Sequence, residues 1–117
     1  DLDVERVAKL IKNELEGREI PYKEIGFWGS RAKGDSTRHS DWDFYIVVPD
    51  EYYDSMPVFK RVKVSGEINK NVAYEMNMLP WDNKDCMGKS GDNSMCIDLS
   101  IHPEWEDMEG TVSIFDK

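Results

Sequence analysis

The chain has 117 residues, 39% of them apolar and 11% aromatic, which suffices for one domain built on a thin hydrophobic core. Its net charge of −9 argues against tight, non-specific binding to an anionic nucleic-acid backbone, although a local basic strip remains compatible with it. No apolar run approaches the roughly 20 residues that cross a bilayer, and the start has no cationic and apolar signal pattern, so a cytoplasmic protein without a membrane partner is expected.

The first residue is Asp rather than Met, which fits a trimmed chain or one cut from something longer. Residues 3–16 read as an amphipathic helix, since Val4, Val7, Ala8, Ile11 and Leu15 recur at helical spacing. Asp1 or Asp3 can cap its start, Gly17 suits its end, and Pro21 forbids continuation. "YKEIGFWGS" reads as a short strand running into a turn. "DWDFYIVV", residues 41–48, is dense in aromatic and β-branched residues and carries the strongest strand pattern in the chain.

"VFKRVKV" alternates as a strand would, with a short helix as the other reading, and the basic strip Lys60, Arg61 and Lys63 reads as one wet face. "VAYEMNML" reads as a further strand stopped by Pro80. "WDNKDCMGKSGDNS" reads as a loop. Its alternate positions Lys84 and Cys86 lack the oxygens of a calcium loop. "MCIDLSI" is a clear strand ended by Pro103, "EWEDMEG" a helical turn or loop, and "TVSIF" a last short strand. One leading helix and several strands with a short helix between two of them imply an α+β, or mixed α/β, sandwich with helices on one side of the sheet.

Cys86 and Cys96 form no C-x-x-C pair and have no His cluster nearby, so two ordinary thiols in a reducing cytosol are expected rather than a disulfide or zinc pair. His39 and His102 lack companions of ligand character.

The stretch "GSRAKGDSTRHSDWDF", residues 29–44, carries the chemistry. Positions i and i+2 of a strand share a face, so Asp41 and Asp43 point one way and Trp42, Phe44, Ile46 and Val48 the other. The same parity puts Ile97, Leu99 and Ile101 on an apolar face of their strand and Cys96, Asp98 and Ser100 opposite. If the two strands are neighbours, Asp98 stands beside Asp41 and Asp43. Glu75, Asp82 and Asp85 compete with Asp98 for the place of third acid. Three carboxylates on one patch raise one another's proton affinity unless a cation neutralises them, and hard oxygen donors suit Mg²⁺ or Mn²⁺. Gly29 lets backbone approach a phosphate closely, and Ser30 opens a short helix whose free N–H groups attract anions. Arg31 and Lys33 add positive charge. Trp28, beside this turn, reads as core rather than as a platform for a base.

These residues resemble the DNA polymerase beta-like nucleotidyltransferase superfamily. The pattern is Gly29-Ser30, then about ten residues, then Asp41-x-Asp43 on a strand, with Asp98 of "CIDLSI" as the third carboxylate. Arg31, Gly34 and Ser40 meet its extended form. Trp42 departs from it, standing where the family has a smaller aliphatic residue, and no helical domain follows Asp98. The resemblance implies a polymerase beta-like fold over residues 1–117. It also implies transfer of a nucleoside monophosphate from an NTP, with ATP the expected donor, to a hydroxyl, releasing pyrophosphate. Asp41, Asp43 and Asp98 would be catalytic and hold Mg²⁺ or Mn²⁺. Gly29, Ser30, Arg31, Lys33 and Ser40 would bind the nucleotide. The acceptor stays open between protein, RNA and small molecule. The small stand-alone members are the nearest in form, and some of them are protein AMP-transferase antitoxins paired with a toxin. A non-catalytic nucleotide-binding module of the same fold is the rival reading.

Overall fold

The structure, a computed structural model, describes residues 2–34, 41–83, 86, 95–106 and 108–117. Helix α1, Val4–Gly17, opens the chain, and the Asp3 carboxylate accepts a hydrogen bond from Arg6 N at its start. Then come β1 (Glu24–Trp28), α2 (Ser30–Lys33), β2 (Trp42–Val48), α3 (Asp50–Ser55) and α4 (Val58–Glu75). Three strands close the order: β3 (Leu79–Pro80), β4 (Cys96–Pro103) and β5 (Val112–Asp116).

The strands form one mixed sheet in the order β3-β4-β2-β1-β5. β1 is antiparallel to β2 and to β5, whereas β4 is parallel to β2 and to β3. A parallel β2–β4 pair needs a long crossover, and residues 49–95 supply it. Helices α1 and α4 place Val7, Ala8, Ile11, Leu15, Ile68, Val72 and Ala73 against Ile25, Phe44, Ile46, Ile97 and Leu99, all buried. One face of the sheet is thereby closed, and the acidic face is left for chemistry. The α+β class expected from the sequence holds.

Residues 58–75 are a helix, not the strand that "VFKRVKV" suggested, and the strand reading of "VAYEMNML" fails with it. Val58, Phe59 and Val62 are exposed, and of this stretch Val64 packs against the core. The buried set is Ile68, Asn69, Val72 and Ala73, whose spacing is that of one helical face. Buried Asn69 donates from Nδ2 to the Ile97 carbonyl at 3.0 Å, fastening α4 to the strand that carries Asp98. Asn77, at φ 56°, then turns the chain into β3. Arg61 donates to the Tyr53 and Met56 carbonyls, so one member of the basic strip ties α4 back to α3.

The free-thiol expectation is also overturned: Cys86 and Cys96 form a disulfide, with Cα atoms 6.0 Å apart. The two residues lie ten apart, without a motif that marks them as partners. The bond clips the segment after β3 to the first residue of β4, and the argument for a reducing cytosol loses its footing. Among the described residues, no helix is long and apolar enough to cross a membrane.

Candidate functional site

Pairing registers decide which acids meet. Asp43 lies opposite Trp28 in β1 and opposite Asp98 in β4, so the two carboxylates emerge side by side on the open face. Trp42 pairs with Ile97 and Phe44 with Leu99 on the closed face. Asp41, one residue before β2, is half-buried and couples to both other acids.

The cost of this crowding is visible in proton affinity. Asp43 is pushed up to about 6, first by burial, then by the charges of Asp41 and Asp98. Asp98 is also raised, by burial most of all, against the pull of a hydrogen bond that its Oδ1 accepts from Leu99 N at 2.9 Å. The charges of Asp41 and Asp82 add to the rise. Asp82, a competitor for the place of third acid, therefore contributes to the patch from the segment after β3. Glu75 instead lies along the groove between α1 and α4, and Asp85 lies outside the described residues.

The turn after β1 sits on this patch. Gly29 has φ 81° and ψ −156°, a region that essentially only glycine occupies. A Cβ there would stand 2.9 Å from Asp43 Oδ2, so the backbone presses directly on the carboxylate. Helix α2 has only four residues, with left-handed Gly34 at its end, so its dipole is small and the turn's own N–H groups matter more. Arg31 holds its guanidinium over the Trp42 ring, 4.6 Å from the centroid. Lys33 is exposed, and its stem lies near Gly110. Ser40 and His39 lie outside the described residues.

Further along the same face stand Tyr45, Ser100 and His102. Tyr45, fully buried, donates to the Glu24 carboxylate, and burial followed by that neighbour raises its phenol strongly. Gly26, opposite Tyr45, has no room for a Cβ, which would stand 2.7 Å from the Tyr45 hydroxyl. Ser100 and His102 continue the parity of Asp98 along β4, and His102 meets Glu106. Trp28 meets His102 edge-on, with ring centroids 5.5 Å apart, so it packs on the acidic face and not in the core.

A model of the nucleotidyltransferase domain family matches residues 8–102, most of the chain and all three acids. The chain belongs to the nucleotidyltransferase domain family. Its recognisable superfamily is the polymerase beta-like one, as the Gly-Ser and Asp-x-Asp pattern implied. In fold it is similar to a crystal structure from Sulfolobus solfataricus described as a candidate nucleotidyltransferase. That likeness has a TM-score of 0.61 at 21% identity, over 97% of this chain and 81% of the other. No curated protein matches it in sequence.

The donor set is right in kind for a divalent cation. All its donors are carboxylate oxygens, and two of the acids have proton affinities raised in a way that a bound cation would relieve. Among the described residues, however, no three His, Cys, Asp or Glu side chains already stand in coordinating geometry. An ion would have to draw the acids together.

Proposed function

We propose that the chain is a Mg²⁺- or Mn²⁺-dependent nucleotidyltransferase, moving a nucleoside monophosphate from an NTP to an acceptor hydroxyl and releasing pyrophosphate. The observation that carries this reading is the Asp43–Asp98 register beneath the Gly29 turn. Acids that repel one another on a half-buried face destabilise a fold, and they make sense where a cation and a nucleotide meet.

Asp41, Asp43 and Asp98 would hold the metal, which when bound supplies positive charge to the attacking and leaving oxygens. The Gly29-Ser30 backbone would take the phosphate tail, because no Cβ at residue 29 keeps the tail from the Asp43 carboxylate. Asp98 Oδ1 is committed to Leu99 N, which leaves Oδ2 to receive the acceptor hydroxyl's proton. Arg31, over the Trp42 ring, and Lys33 would add positive charge beside the triphosphate. ATP is the donor we expect, and the small size of the fold leaves room for a protein, RNA or small-molecule acceptor, with protein AMP transfer among the options.

The test is label transfer. The chain is incubated with Mg²⁺ and base- and phosphate-labelled ATP, and a panel of protein, RNA and small-molecule acceptors is scored. Transfer of the α-phosphate label that Asp43→Asn abolishes supports the reading. Equal transfer by Asp43→Asn, or nucleotide binding indifferent to the divalent ion, overturns it.

A further inference from the structure

Ser100, His102 and Glu106 form a continuous hydrogen-bonded chain. Ser100 Oγ lies 2.7 Å from His102 Nε2, and His102 Nδ1 lies 2.8 Å from Glu106 Oε2. The tautomer with the proton on Nδ1 satisfies both bonds: the Ser100 hydroxyl donates to Nε2, and Nδ1–H donates to Glu106. A nucleophile held by a base, itself oriented by a carboxylate, is the arrangement that activates a serine hydroxyl. The imidazole is mostly shielded, with 13% of its side chain exposed, while Glu106 remains open at 41%.

The group lies on the face of the candidate nucleotide site. Ser100 pairs with Tyr45 one step below the Asp43–Asp98 pair and shares their face. Two residues along a strand place it about 7 Å from Asp98. Trp28, the residue before the Gly29 turn, packs edge-on against His102, so the candidate phosphate turn and the imidazole share one wall. Serines that attack acyl groups sit beside free backbone N–H donors at a sharp turn. Ser100 instead lies inside the β2–β4 ladder, beside the acids that would carry a cation and a nucleotide.

We infer that Ser100 is an in-chain acceptor of the nucleotidyl group, with His102 as its base and Glu106 as the residue that positions His102. Ser100 Oγ bonds to the α-phosphorus of the nucleoside triphosphate, and the bond from that phosphorus to the bridging oxygen of the β-phosphate breaks. Pyrophosphate leaves with the bond electrons. The Ser100 proton passes to His102 Nε2 and then to solvent. The product is a phosphodiester between Ser100 and the nucleoside. This inference rests on the nucleotidyltransferase reading proposed above.

The experiment uses the full chain with ATP and Mg²⁺, read by intact mass and by tandem mass spectrometry of the peptide containing Ser100, with ATP binding followed in parallel by calorimetry. The expected result is one added AMP per chain, on Ser100. Ser100→Ala should lose the adduct while still binding MgATP. His102→Asn should slow adduct formation about 100-fold. Glu106→Gln should slow it less, with unchanged melting temperature and nucleotide affinity, a combination that a merely structural carboxylate would not give. An adduct on any other residue, or none from a chain that binds MgATP, overturns the inference and leaves the transferase reading standing. A chain that binds no MgATP overturns both.

Discussion

Asp43 is the residue on which the opposing effects balance. Its proton affinity in the folded chain is raised from 3.8 to about 6, so folding favours the protonated form. The stability this group contributes is therefore complete below 3.8 and lost as pH rises through about 6. Because the carboxylate is only part-buried, solvent screening holds the effect to the order of 1 kcal/mol. Urea unfolding with chelator present should show Asp43→Asn gaining about that much on the parent above this window and nothing below it. A difference independent of pH would remove Asp43 from the strained cluster. Gly29→Ala is expected to behave oppositely. It forces a side chain into a glycine-only backbone region and against Asp43 Oδ2, at a cost of about 1–3 kcal/mol, measurable by thermal unfolding. Nucleotide affinity should fall with it, since the same Cβ would block the turn.

At the scale of elements, the strands were legible and the crossover was not. β2 announces itself because Phe44, Ile46 and Val48 bury on one side while Asp41 and Asp43 take the other, and the parallel partner β4 repeats the parity with Ile97, Leu99 and Ile101 around Asp98. Matching parity puts the acids on one face once the strands are neighbours, so the face of the candidate site was readable from sequence, whereas the parallel Asp43–Asp98 register was not. Helix α4 was not, because Val58, Phe59 and Val62 carry an apolar pattern that no core selects. The information lies further on, in the helical repeat of Ile68, Val72 and Ala73, whose last two residues open the "VAYEMNML" that reads as a strand. His102 and Glu106 were missed because no motif joins them to Ser100; only the continued parity of β4 and the turn after Pro103 bring them together. The disulfide had no local signal either. It closes a loop over ten residues of separation, and reduction should lower unfolding free energy by about 2–3 kcal/mol by chain-entropy arguments, read as a drop in denaturant midpoint. Because Cys96 precedes Asp98 by two residues and Asp82 lies in the clipped segment, reduction should also weaken divalent-ion binding. If Cys86→Ser leaves both midpoint and ion affinity unchanged, the clip has neither role.

At the scale of the molecule, the proposed reading asks an acidic chain to bind an anion. The described residues share one sheet and one hydrophobic cluster, which fits our reading of residues 1–117 as a single nucleotidyltransferase unit. Its charge of −9 repels a triphosphate at long range, and the candidate site adds acids rather than lysines. On the proposed reading, approach of a nucleotide would depend on charge brought by the ion. Monovalent salt would only screen the repulsion between exposed groups, whereas a divalent ion held by Asp41, Asp43 and Asp98 would bind the folded state alone. The two effects separate cleanly in a thermal melt. At matched ionic strength, Mg²⁺ should raise the melting temperature well above the value in NaCl, by an amount that corresponds to about 2.7 kcal/mol when the ion is at 100 times its dissociation constant. Asp43→Asn and Asp98→Asn should each abolish most of that gain. Removing Mg²⁺ with chelator should abolish nucleotide binding together with the stabilisation, because both draw on the same cation. Were NaCl to stabilise as well as Mg²⁺, the acids would be a screened surface patch, and the ion would have no place at the head of the β2–β4 pair.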